Sequence, residues 1–229
     1  MRIKNSQSKE EYCKIQITAS KTKFRYCKVS TRCVQRFSEV VRKSSGGKIK
    51  GPVLCLGTRN GRELDLFRIY FFGNFLHKLI VRLFERRRYA FSSWFSFTEL
   101  FGASDIKKIG ERSVVGVELN PDGKRKDVFI GSFDELPAEW TSKFRVVFAN
   151  TLDHAFDPYK AAGEWNRVLA PGGHIIISFP GEKTTESFVD SVSNITLEDT
   201  IKLFPGELVY FNKFGTIFSD VIIKKTDNI

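Results

Sequence analysis

The sequence predicts a doubly wound α/β domain whose mostly parallel sheet carries an antiparallel edge. Short apolar runs at residues 53–56, 114–118, 128–130, 144–149 and 174–179 read as buried strands. Helical patterns separate several of these runs, and alternation of strand and helix builds a parallel sheet. Two further strand-like segments, at about 208–212 and 216–224, end the sequence as a hairpin, which adds the antiparallel edge.

Taken in order, residues 1–12 are expected to be weakly ordered. Residues 13–28 alternate in part through Ile15, Ile17, Phe24 and Tyr26, which suits a hairpin or an extended arm. A helix is expected at 30–43: Ser30 or Thr31 caps it, and Val34, Phe37, Val40 and Val41 share one face. The strand at 53–56 stops at Gly57, and Gly61 falls where the next helix, at 63–67, begins. A glycine turn of this kind brings backbone N–H groups and a helix N-terminus close to a ligand. The next strand ends in Glu118, and an acid at that tip of a nucleotide-binding sheet accepts hydrogen bonds from ribose hydroxyls. Singly, these features read as an ordinary turn and a surface carboxylate. Together they imply a ribose-bearing cofactor.

Residues 68–110 are more than one helix and a return loop need, so they read as an insertion. It holds eleven aromatic residues between Tyr70 and Phe101. Arg68, Lys78 and Arg82 interrupt its apolar start, whereas a membrane span needs ~20 mostly uncharged residues. No transmembrane span is expected. An amphipathic helix is, followed by the basic Arg86, Arg87 and Arg88 and a second aromatic segment. Such an element serves as a lid, a subunit interface or, through residues 68–101, a peripheral membrane contact; added core accounts for the same aromatics. Downstream, Asp157 caps a helix at 158–169 with Pro158 in its first turn. Pro171, Gly172 and Gly173 turn the chain into the strand at 174–179, and a last helix near 197–204 precedes the hairpin.

The length, 229 residues, suits one domain with a substantial core plus a short extension. The net charge of +11 is unevenly spread. Residues 1–50 hold 14 Lys/Arg against 3 Asp/Glu, and the remaining 23 of each cancel. The basic character therefore belongs to the N-terminal extension, which suits a nucleic acid, an anionic surface or plain solvation. Cys13, Cys27, Cys33 and Cys55 show no CxxC spacing, which points away from zinc and disulfides and towards a reducing, cytoplasmic setting. The first twenty residues lack the apolar stretch of a signal peptide.

The stretch from 51 to 182 resembles the class I S-adenosylmethionine-dependent methyltransferases, in their methyltransferase type 11-like branch. The resemblance rests on residues 53–61 (VLCLGTRNG), 115–121 (VGVELNP), 131–137 (GSFDELP), 146–154 (VVFANTLDH) and 164–174 (EWNRVLAPGGH). It implies a Rossmann-like, seven-stranded domain over residues 51–229 and S-adenosyl-L-methionine as cofactor. Gly57, Thr58 and Gly61 would line the methionine part, Glu118 the ribose, Leu119 the adenine face, and Ser132 with Phe133 the adenine edge. Asn150 and Thr151 would stand beside the crevice at the end of the fourth strand. Asp153 and His154 are candidates for a catalytic base, and His174 reads as structural. No metal-ligand or Ser-His-Asp constellation is visible in the linear sequence. The family's usual first-strand acid, middle turn glycine and adenine-side acid are replaced by Cys55, Arg59 and Ser132.

Methyl transfer to a small molecule, sugar or lipid is the expected function, given the neutral body and aromatic insertion. RNA methylation guided by the basic arm is the rival, tested by salt-dependent binding that vanishes when residues 1–50 are deleted. A non-catalytic interaction protein on the same fold is the third reading.

Overall fold

The computed structural model describes residues 1–3, 8–22, 27, 29–85, 104–180, 190–214 and 218–226. The second aromatic segment of the insertion and its basic triplet lie outside these residues. The sheet is seven-stranded, in the order β4-β3-β2-β5-β6-β9-β8. Its parallel strands are β2 (Val53–Leu56), β3 (Val114–Glu118), β4 (Val128–Ile130), β5 (Phe144–Ala149) and β6 (Leu169–Pro180). The hairpin of β8 (Glu207–Phe214) and β9 (Phe218–Lys224) pairs antiparallel through β9 with β6. The expected antiparallel edge is therefore present.

β2 lies between β3 and β5, pairing Leu56 with Val117 on one side and Ala149 on the other. Its side chains divide between two cores. Leu54 and Leu56 face the side packed by Trp165, Ala161 and Val168 of α5 (Pro158–Val168). Val53 and Cys55 face Val34, Phe37 and Val41 of α2 (Thr31–Ser44) and Leu64 and Phe67 of α3 (Arg62–Phe67). A strand covered on both faces has no polar side, hence the continuous apolar run. Ser30 caps α2 by accepting from the Cys33 N–H at 3.2 Å, and Asp157 caps α5 through the N–H groups of Tyr159 and Lys160.

Two expectations fail at the N-terminus. Arg2–Ile3 forms a short strand, β1, antiparallel to β7 (Val192–Ser193), and Lys9–Thr22 is a helix, α1, where an arm or hairpin was expected. Ser8 and Glu11 form a reciprocal capping box, each side chain accepting the other's backbone N–H. That box opens the helix, and the Ile15/Ile17 alternation does not register in the fold. The insertion also differs from a single amphipathic helix. α3 runs into a π-helical turn, Arg68–Phe72, which stops at Gly73 before α4 (Phe75–Glu85) begins. Arg42 of α2 donates to the carbonyls of Tyr70 and Phe71 at 2.9 and 2.8 Å, satisfying acceptors that the irregular turn frees. Among the described residues, no helix is long and apolar enough to cross a membrane.

His174 is fully buried, and its Nε2 lies 3.0 Å from the Ser44 hydroxyl. Burial lowers its pKa from 6.5 to about 4, helped by the nearby charges of Arg145 and Lys224. Between those two values the unfolded chain binds the extra proton, so stability is present above about 6.5 and lost as pH falls towards 4. The loss should reach about 3 kcal/mol. Urea midpoints across this window test it, and His174→Gln should flatten this part of the profile.

Candidate active site

At the carboxyl ends of β2, β3 and β5 the sheet opens into a cleft with ≈ 810 Å³ of empty space, solvent at its mouth included. This is the switch point of the strand order, where open α/β sheets hold ligands. Gly57 ends β2 with φ +71°, and a Cβ there would lie 2.3 Å from the Thr151 methyl carbon. Glycine therefore lets the turn lie against β5.

Four of the N–H groups between Gly57 and Gly61 are already bonded within the protein. Those of Gly57 and Thr58 donate to the Val117 carbonyl, and that of Gly61 to the Thr58 carbonyl. The Arg59 N–H donates to Glu118 at 2.6 Å, and the Asn120 N–H reaches the other carboxylate oxygen at 2.9 Å. Arg59 does this with φ 49°, in the left-handed region that glycine adopts at least cost. Glu118 is thus a buried acid fixed by two backbone donors, with acceptor capacity left over.

A buried ion cluster supports the turn from behind. Arg125 Nη1 donates to the Asn60 carbonyl at 3.1 Å, and its other guanidinium nitrogens bind Asp65 and Asp127 at 3.0 Å. Arg68 bridges the same two acids at 3.0 and 2.8 Å. Burial raises the Asp65 pKa, and the two guanidinium groups oppose that rise.

Gly57, Glu118, Leu119, Ser132, Phe133, Thr151 and His154 line the cleft together. Thr58, Gly61, Asn150 and Asp153 do not. A Cβ on Gly116 of β3 would meet the Thr58 side chain, and one on Gly61 would meet Arg125. Asn150 turns behind the sheet end to donate to Glu63 at 2.8 Å. Asp153 is buried on the short turn Leu152–His154.

Three contributions escape sequence reasoning. Asp134, 3% exposed, stands beside Ser132 and accepts a hydrogen bond from its hydroxyl. It supplies an acid on the side where Ser132 lacks one. Phe156 forms part of the wall. The largest contribution is α1, which covers the cleft with Lys9, Tyr12, Cys13, Gln16, Ala19 and Ser20. It is held by Lys9 to Asp134 at 3.4 Å, Tyr12 to Ser191 at 3.1 Å and Asn120 to Ser20 at 3.4 Å. Burial pushes the Tyr12 phenol up to about 12 and raises the Cys13 thiol as well. At neutral pH both are protonated donors.

The linear sequence also hid a cluster. Asp153, His154 and Asp190 bring their donor atoms within 4.8 Å of one another. Asp190 is 36 residues beyond His154, so no short motif announces it.

Residues 101–177 match the family model of the methyltransferase domain. Among solved structures, the chain is similar to 1,6-didemethyltoxoflavin-N1-methyltransferase from Burkholderia thailandensis, bound to 1,6-didemethyltoxoflavin and S-adenosylhomocysteine. Identity is 14% over 98% of this chain and 93% of that one, with a TM-score of 0.56. It is also similar to the 4+2 cyclase SpnF, at 10% identity over 98% of each chain and a TM-score of 0.53. No curated protein sequence matches the chain. The family match covers residues 101–177 and the structural likeness gives the fold, a Rossmann-like α/β domain similar to that of S-adenosylmethionine-dependent methyltransferases. The cyclase shows that the fold hosts other chemistry, so the reaction has to be argued from the site.

Proposed function

We propose that the protein transfers a methyl group from S-adenosylmethionine to a small molecule held beneath α1. The carrying observation is the covered cleft: Glu118 and the glycine turn stand at one side, His154 and Phe156 line it too, and Tyr12 and Cys13 lie in the roof. The fit of the cofactor is supported by Glu118, whose spare acceptor capacity suits ribose hydroxyls, and by apolar Leu119 and Phe133 beside the carboxylate of Asp134. Thr151 Oγ1 is a further sign. It is buried with no hydrogen-bond partner among the described residues, a polar atom in want of a ligand.

When bound, the cofactor supplies an activated methyl carbon for in-line displacement, with sulfur leaving as the neutral thioether. The chain's share is to align the acceptor and exclude water. α1 does the second by lying over the cleft. Asp153 and His154 we assign to the acceptor rather than to the cofactor.

Calorimetry with S-adenosylhomocysteine tests this reading directly. Saturable binding and a ligand-dependent rise in Tm are expected; no heat and no shift at millimolar ligand would leave a non-catalytic scaffold. The RNA reading needs a gentler test than deleting residues 1–50. That deletion removes Val34, Phe37 and Val41, which are 0%, 1% and 0% exposed, and would unfold the domain. Charge reversal at exposed lysines of residues 1–50 keeps the core. RNA binding that disappears with it would favour a nucleic-acid acceptor.

A further inference from the structure

We infer that Asp153, His154 and Asp190 form a divalent-cation site at the acceptor end of the cleft. The inference deepens the methyltransferase reading and rests on it for the site's purpose, though not for its chemistry. His154 Nδ1 lies 3.0 Å from Asp190 Oδ1, close to the separation of about 3 Å expected for neighbouring donors with metal bonds of about 2.1 Å. All three donors fall within 4.8 Å, so only small side-chain adjustments separate them from a common ion.

A second observation is independent of that spacing. Asp153 is 5% exposed, and its Oδ1 is buried with no hydrogen-bond partner among the described residues. A buried carboxylate oxygen left without a donor is costly, and here a second carboxylate stands beside it. A cation would satisfy both.

The cluster is also held in place. Asp153 and His154 share the turn Leu152–His154 at the end of β5. The Ser191 hydroxyl donates to the Ala155 carbonyl, while Tyr12 of the roof donates to Ser191 at 3.1 Å. These contacts fix residue 190 against residue 154. One imidazole and two carboxylates suit Mn²⁺, Fe²⁺ or Zn²⁺ better than a soft ion. Because His154 lines the cleft, open positions of the ion would face an acceptor hydroxyl or carboxylate. His154 then acts as a ligand rather than as the base that its sequence position suggests. The rival is a protonated imidazolium that neutralises the acids without metal.

Electron paramagnetic resonance of Mn²⁺ titrated with the full chain separates the two. Loss of the free-ion signal at one equivalent is expected, with Asp190→Asn and Asp153→Asn each weakening uptake on the order of tenfold or more. Glu135→Gln, an exposed acid outside the cluster, should leave uptake unchanged. An undiminished free signal with wild-type protein, or uptake indifferent to both cluster substitutions, overturns the site. S-adenosylhomocysteine calorimetry on each sample checks folding and keeps the two readings apart. Cofactor binding by a protein that ignores Mn²⁺ sinks the cation site alone, and Mn²⁺ uptake without cofactor binding sinks the methyltransferase reading alone.

Discussion

Asp127→Ala should lower stability by about 3–5 kcal/mol, the usual cost of removing one partner from a buried ion pair. Asp127 is 0% exposed and holds Arg68 at 2.8 Å and Arg125 at 3.0 Å. Without it, two guanidinium groups share Asp65, whose own carboxyl is already pushed up by burial. In a chain of this size the Tm should drop by roughly 6–20 °C. The exposed pair Lys202–Glu198, at 70% and 78% exposure, makes the contrast: Glu198→Ala should leave the midpoint unchanged. The effect should extend to function. Arg125 also holds the Asn60 carbonyl, so releasing it loosens the turn beside the proposed cofactor, and residual folded Asp127→Ala should bind S-adenosylhomocysteine more weakly. A midpoint within about 2 °C of wild type would mean that the cluster is solvated and contributes little.

That cluster was illegible in the sequence, and the reason is physical. Asp65, Arg68, Arg125 and Asp127 look like surface charges because each is unremarkable in its own window; only the β2–β3 arrangement brings them together. The parallel strands were legible for the opposite reason. Burial on both faces forces a local run such as Val53, Leu54, Cys55 and Leu56 to be wholly apolar, and no distant partner is needed to recognise it. α1 fell between these cases. A helix over a ligand cleft turns residues such as Lys9, Gln16 and Ser20 inward, so it lacks the apolar stripe by which an amphipathic helix is known. Tyr12 is its one buried residue. Its legible signal was the Ser8/Glu11 capping box, and the cleft-facing positions 9, 12, 13, 16, 19 and 20 do recur at helical spacing.

The same contrast applies within the site. Gly57 and Glu118 were found because each ends a strand that declares itself, and the structure sets both on one cleft. Asp134 was missed because alignment by motif assigned the adenine side to Ser132, whereas the loop after β4 brings the acid two residues later to the same wall. The turn's N–H groups were expected to face a ligand. Four of them are spent on Val117, Thr58 and Glu118 instead, which makes the turn a rigid support whose carboxylate, more than its amides, is available for recognition.

Glu118→Ala follows from that geometry as the substitution with the largest expected effect on binding. Hydrogen bonds from sugar hydroxyls to a charged acceptor contribute about 1.5–3 kcal/mol, so affinity for S-adenosylhomocysteine should fall roughly ten- to 150-fold by the same figure. The substitution also orphans the Arg59 and Asn120 N–H groups. Part of the loss will therefore be a looser turn, and Glu118→Gln separates the two causes. Its amide fills the same volume and keeps one oxygen for one of the two backbone donors, so it should loosen the turn less than alanine does while still losing the charge. If Glu118→Gln binds like wild type and Glu118→Ala does not, the acid serves the turn rather than the ribose. If both bind within twofold of wild type, the ribose lies elsewhere in the cleft, and the case for this cofactor at the carboxyl ends of β2 and β3 falls with it.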